Sequence, residues 1–200
     1  MLTAPKLKRE QFIGLRTRNK KDTGGAFSSI TLRESVLFSL LGAIMLCSKV
    51  IMEPLPNIHP VGMLTMVYTI VFRKKALIPL YIYVFLNGVL LGFSPWWVPY
   101  LYIFTILWAV TMILPRKMKK SLQYIVYPIV CSLHGLAFGI LYAPAHALMF
   151  GFDFEQTLLW ISTGISWDFI HCFGNFFMGL LIVPLSELLK KLSRIHNIDI

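Results

Sequence analysis

Six apolar runs follow one another along this chain, at about Glu34–Met52, Val61–Phe72, Ala76–Phe93, Trp96–Leu114, Leu122–Tyr142 and Thr157–Leu185. A hydrocarbon core ~30 Å thick is crossed by roughly 20 helical residues, and most of these runs are of that order. A soluble domain must coat its core with polar side chains, yet hydrophobic residues make up 56% of the chain and charged residues only 14%. The expected fold class is an all-α membrane protein: a six-transmembrane-helix bundle with both termini in the cytoplasm, N-in/C-in. Residues 1–33 form a basic cytoplasmic leader, 34–190 the membrane domain and 191–200 a cytoplasmic tail. Proline marks several breaks, above all in Glu53–Pro60, where Pro54, Pro56 and Pro60 forbid a regular helix. The fifth run is expected to break near Pro144, followed by a linker with Asp153 and Glu155.

The net charge of +10 would point to nucleic acid in a soluble protein. Here position excludes that partner. Eight Lys and Arg lie in the leader, three at Arg73–Lys75, four between Arg116 and Lys120 and three between Lys190 and Arg194. These make eighteen of nineteen, all on alternate connections, with Lys49 the exception inside the first run. The positive-inside rule assigns them to the cytoplasm. No apolar stretch precedes Ile30, so the leader reads as retained rather than as a secretory signal, and its charge suits an anionic lipid leaflet. The second run has only twelve residues, so it tilts or packs behind its neighbours. Trp96, Trp97, Tyr100, Tyr102 and Trp160 gather at the outer interface as a belt. Adjacent helical residues point about 100° apart, so Trp96 and Trp97 cannot both face lipid. Cys47, Cys131 and Cys172 all lie inside apolar runs, with no disulfide or metal-ligand spacing, and read as packing residues.

Polar side chains deep in a bilayer are functional candidates by default. Asp168, His171 and Asn175 are spaced to share one helical stripe, and Trp167 beside them offers a ring. A carboxylate at that depth needs a partner, with His171 and His134 as the candidates. Asp168 is expected to contact substrate or to organise its pocket; the competing reading is that the stripe only joins helices. Lys49 and Glu53 stand four apart, as a helical salt bridge or as the mouth of an outward pocket with Asn57 and His59 as its lid. Asn87 reads as a helix–helix hydrogen bond. Ser35, Ser39, Ala43 and Cys47 form a small-residue stripe on the first run, fit for close helix packing inside the bundle or against another membrane subunit. There is no nucleotide-binding motif, and an Asp-x-x-His pair alone is a weak metal signal, so neither cofactor nor metal is expected.

Several stretches carry a resemblance: Ser39-x-x-x-Ala43-x-x-x-Cys47, Leu55-Pro-Asn-Ile-His-Pro-Val-Gly62, Trp96-Trp-Val-Pro-Tyr-Leu-Tyr102 and Trp167-Asp-Phe-Ile-His-Cys-Phe-Gly-Asn175. Across about residues 34–190 the chain resembles the substrate-binding S components of energy-coupling factor transporters, which take up vitamins and related micronutrients in bacteria. The family's stripe has alanine at two positions four apart, whereas here Cys47 follows Ala43. The resemblance implies a small micronutrient as ligand, a bacterial plasma-membrane location, and docking through the first helix (Ser39, Ala43, Cys47) on a membrane T subunit with two ATPase subunits. ATP hydrolysis would then lie on those partners and this chain would not be an enzyme. The pocket would draw on Lys49, Glu53, Asn57, His59, Trp97, Tyr100, His134, Trp167, Asp168, His171 and Asn175. The rival reading is an integral membrane enzyme using Asp168, His171 and His134, and a third is a structural membrane protein without a pocket.

Overall fold

The structure, a computed structural model, describes residues 30–195, and helices account for the regular structure among them. The basic leader before residue 30, the end of the tail at 196–200, and with them both termini, lie outside the described residues. The helices belong to one compact unit beginning at Leu32. They are α1 (Leu32–Ile51), α2 (Val61–Phe72), α3 (Leu77–Leu91), α4 (Tyr100–Ile113), α5 (Lys120–Leu136), α6 (Phe138–Phe150), α7 (Phe154–Gly179) and α8 (Ile182–Ile195), with a short 3-10 turn over Arg73–Ala76.

Side-chain contacts fix the directions. Glu34 at the start of α1 pairs with Lys75 ahead of α3. Further along, a Cβ on Gly42 would stand 2.6 Å from Ile82 and 3.0 Å from the Pro79 carbonyl, so α1 and α3 run parallel and close. Helix α2 runs the other way, with the Tyr68 hydroxyl donating to the Leu41 carbonyl at 3.2 Å and Phe72 edge-on to Phe38. The chain reverses at Arg73, which takes a positive φ of 54° and donates its N–H to the Thr69 carbonyl. In turn α4 is antiparallel to α3: Tyr81 donates to the Leu101 carbonyl and Trp97 to that of Val84.

Helix α7 lies antiparallel along both α5 and α6, with Pro128 at Gly179, Cys131 at Asn175, Gly135 at His171 and Gly139 at Asp168. The order closes with α8, bent 48° from α7. Pro184 in its first turn supplies no N–H, which suits a break there. Lys120 and Glu187, 2.7 Å apart, bring α8 to the start of α5. Among the described residues, α1 to α4 thus alternate in direction and α7 runs against α5 and α6, and the clusters at Arg73–Lys75, Arg116–Lys120 and Lys190–Arg194 share one end.

By length and composition, three helical stretches among the described residues could cross a membrane: Leu32–Ile51, Val61–Leu91 and Lys120–Phe150. A fourth is the bent pair Phe154–Gly179 with Ile182–Ile195, and Tyr100–Ile113 is a shorter apolar helix. The stretch Val61–Leu91 is no straight rod, since α2 and α3 run in opposite directions about Arg73. Helix α2 is the core: every residue in it except Ile70 is buried. A mostly apolar helix whose Thr65 and Thr69 hydroxyls bond back to its own carbonyls suits that position, and its twelve residues need not meet lipid.

Several boundaries differ from the sequence reading. Helix α4 starts at Tyr100 rather than Trp96, because Pro95 and Pro99 hold the preceding segment in turns. The fifth run breaks at Ala137, while Pro144 sits inside α6. Helix α7 begins at Phe154, pulled forward by a capping box in which Asp153 accepts from the Gln156 N–H and Gln156 accepts from that of Asp153.

Candidate functional site

At the end opposite the cation clusters, the loop Met52–Pro60 folds against α7. Asn57, at a positive φ of 56° that asparagine tolerates, donates its side-chain amide to the Trp167 carbonyl at 3.2 Å. Ile58 packs on Gly174, where a Cβ would lie 3.2 Å from it. The loop thereby delivers His59 to His171, their ring centroids 5.0 Å apart. His171 lies 4.8 Å from Phe138, and His134 lies within about the same ring-contact range of both Phe138 (6.2 Å) and Phe104 (6.3 Å). Tyr83 on α3 completes the chain edge-on to Phe104 at 5.8 Å.

The polar atoms of this group are mostly without partners. His134 Nε2 faces the Ile103 carbonyl at 3.1 Å, which makes it the protonated nitrogen and leaves Nδ1 as an acceptor. That Nδ1 is buried with no hydrogen bond, as are His59 Nδ1, the Tyr83 hydroxyl and both side-chain atoms of Asn87. Asn87 stands one helical turn beyond Tyr83 on the same face, and both are fully buried. The helix–helix hydrogen bond expected of Asn87 is therefore absent among the described residues. Burial, with the Lys49 ammonium behind it, pushes the His59 imidazole down to about 4, so it is uncharged at neutral pH.

Asp168 is placed differently from the expectation. Its carboxylate accepts from the Gly139 N–H at 3.0 Å, and no hydrogen bond to His171 or His134 forms among the described residues. Gly139 lies in the first turn of α6, where an N–H lacks an intrahelical acceptor, so Asp168 secures the restart of the rod after Ala137. We expect Asp168→Asn, which keeps an acceptor oxygen, to melt within about 1 kcal/mol of wild type, and Asp168→Ala to cost about 1–3 kcal/mol. Thermal melts of the two variants check this; equal melting would remove the structural role.

Asn175 is buried between α2, α5 and α7, donating to the Cys131 carbonyl at 3.3 Å. Trp97 and Tyr100 join the site's rim: Trp97 donates to Val84 at 2.7 Å and packs on Phe93, while Tyr100 touches Phe104 and Phe138. Trp167, by contrast, is 52% exposed and makes no ring contact among the described residues; only its carbonyl is used. The Lys49–Glu53 salt bridge does not form, because α1 ends at Ile51 and the helical spacing is lost; Glu53 is exposed. Lys49 still feels the Glu53 carboxylate, and its charge also reaches His59. Cys47 and Ser39 are exposed and Ala43 partly so, which turns the α1 stripe outward, while Gly42 serves the internal contact with α3.

Tyr83, Phe104 and Phe138 had not stood out in the sequence, where each is one more aromatic in an apolar run; the four-residue spacing of Tyr83 and Asn87 was the available signal. No group of three or more His, Cys, Asp or Glu among the described residues is gathered closely enough to hold a metal. Comparison with known proteins adds no relative: no protein-family model, curated protein or solved structure matches the chain.

Proposed function

We propose that this chain is the substrate-binding membrane subunit of an importer of the energy-coupling factor type, capturing a small micronutrient from outside the cell. The observation that carries the reading is the set of buried polar atoms without partners: His59 Nδ1, Tyr83 OH, the Asn87 amide and His134 Nδ1. Each costs about 1–3 kcal/mol while unpaired. A ligand with matching donors and acceptors removes that cost. Tyr83 and His134 border Phe104, His134 borders Phe138 and His59 borders His171, which suits an uncharged, flat, multiply hydrogen-bonding molecule. Entry passes the Met52–Pro60 loop, which acts as the lid. The six apolar runs are six spans in this reading, with the cationic end in the cytoplasm.

Reporters fused after Met1 and after Ile200 that mature only outside the cytoplasm check the topology. No signal is expected from either terminus; signal from one would defeat the six-span arrangement. Docking on a membrane T subunit with two ATPases is assigned to the outward stripe of Ser39, Ala43 and Cys47. Ala43→Trp is accordingly expected to leave ligand binding unchanged and to abolish uptake by cells carrying the whole transporter. Loss of binding together with uptake would show that the stripe packs internally.

A further inference from the structure

A cavity of about 270 Å³ lies at the cationic end, between the Arg73 turn, the α4–α5 connection and α8. At ~30 Å³ per water it has room for several waters or one small charged group with a substituent. Arg73, Arg116, Lys190 and Arg194 all line it, and no Asp or Glu does. The paired carboxylates at this end, Glu34 and Glu187, are taken by Lys75 and Lys120, neither of which lines the cavity. The four lining cations have no carboxylate partner among the described residues.

Arg73 adds a second, independent observation. Its Nη2 donates to the Met112 carbonyl at 2.9 Å, yet its Nε is buried with no partner. It also holds a positive φ of 54°, a conformation that costs a non-glycine residue about 1–3 kcal/mol. Topology alone needs none of this, since lysines free in the cytoplasm would satisfy the positive-inside rule. Three of the four cations are arginines, whose planar forks match the oxygens of phosphate better than a point charge does. Tyr127 lines the same space, and Ile70 and Leu114 give it apolar lining on which an organic substituent can rest.

We propose that this cavity is a phosphate-binding site that takes a phosphate group bearing an apolar or organic substituent. The phosphate comes either from an anionic lipid headgroup or from a free phosphate compound. The inference does not depend on the substrate reading, because the cavity lies at the opposite end of the bundle.

The test uses the full chain in nanodiscs of phosphatidylcholine, with or without phosphatidylglycerol. Native mass spectrometry reads retained phosphatidylglycerol, and thermal melts in pure phosphatidylcholine read a titration with inorganic phosphate against chloride at equal ionic strength. Arg116→Gln with Arg194→Gln should weaken whichever anion binds by about tenfold or more. Lys117→Gln with Lys191→Gln removes the same charge outside the cavity and should leave binding unchanged. Retained phosphatidylglycerol without a phosphate effect assigns the headgroup; saturable stabilisation by phosphate without that lipid assigns the free compound. Equal losses in both double variants, or no binding beyond chloride, would overturn the proposal. Should the glutamine variant fail to fold, Arg116→Lys with Arg194→Lys keeps the charge and should still lose affinity through the missing forks.

Discussion

Asn87→Leu is expected to raise the melting temperature of the ligand-free protein and to weaken ligand capture at least tenfold. Both amide atoms of Asn87 are buried without a hydrogen bond, and the side chain is fully enclosed. An amide in that state costs about 1–3 kcal/mol, and leucine has nearly its shape without the polar atoms. At about 2–4 °C per kcal/mol for a chain of this size, the gain is readable in a thermal melt. The same substitution removes a donor and an acceptor from the site, worth about tenfold or more in affinity once the ligand's own groups are left unpaired. Stability rising while binding falls is the signature of a site that accepts strain for function. A variant both less stable and unchanged in binding would mean that Asn87 has a structural partner after all.

A second large effect is expected at Gly135. A Cβ there would stand 2.8 Å from the His171 carbonyl oxygen and 2.8 Å from the Asn175 amide, so even alanine forces backbone to move. Gly179 makes the same kind of contact on Pro128, 2.7 Å from its Cα. The α5–α7 pair thus approaches backbone to backbone at two glycines, as small residues permit between helices in lipid. Gly135→Leu should cost at least about 3 kcal/mol, the upper range for overpacking, and lower the melting temperature by about 6–12 °C. Because His171 and Asn175 hang on that contact, ligand affinity should fall with it. A melting temperature within a few degrees of wild type would show that α5 and α7 are not pressed together as described.

Much of the fold was legible because it follows from local composition. Apolar runs and their cation-rich connections place the first four helices within a few residues, whereas α6 runs on to Phe150 past the expected end at Tyr142 and α7 stops at Gly179 short of Leu185; the eleven buried residues of α2 were foreshadowed by its short, strongly apolar sequence. The misplaced boundaries have local causes that were open to reading: Pro99 behind Pro95 delays α4, and Asp153 with Gln156 is a capping box. Proline proved a poor guide inside the bundle, since Pro128 and Pro144 both sit within helices. Neighbouring helices can make up for the hydrogen bond that proline removes, whereas the break at Ala137 has no strong residue to announce it.

The site was legible only in part, since which face of a helix turns inward is a tertiary property. Asp168 and Trp167 are adjacent and so point about 100° apart; once Asp168 turns to Gly139, Trp167 must turn away. Lys49 and Glu53 failed as a pair because the helix ends between them. The basic connections were read as a topology signal alone, and nothing in their spacing says that Arg73, Arg116, Lys190 and Arg194 meet around one cavity.

Native mass spectrometry of the purified wild-type chain and of Asn87→Leu, side by side, tests the central claim most directly. A single small uncharged molecule should travel with the wild type in near one-to-one amount and be absent from the variant. A wild-type protein that carries no such molecule from cells or from a panel of micronutrients, or a variant that retains it equally, would contradict the assignment of a substrate site to these buried polar groups.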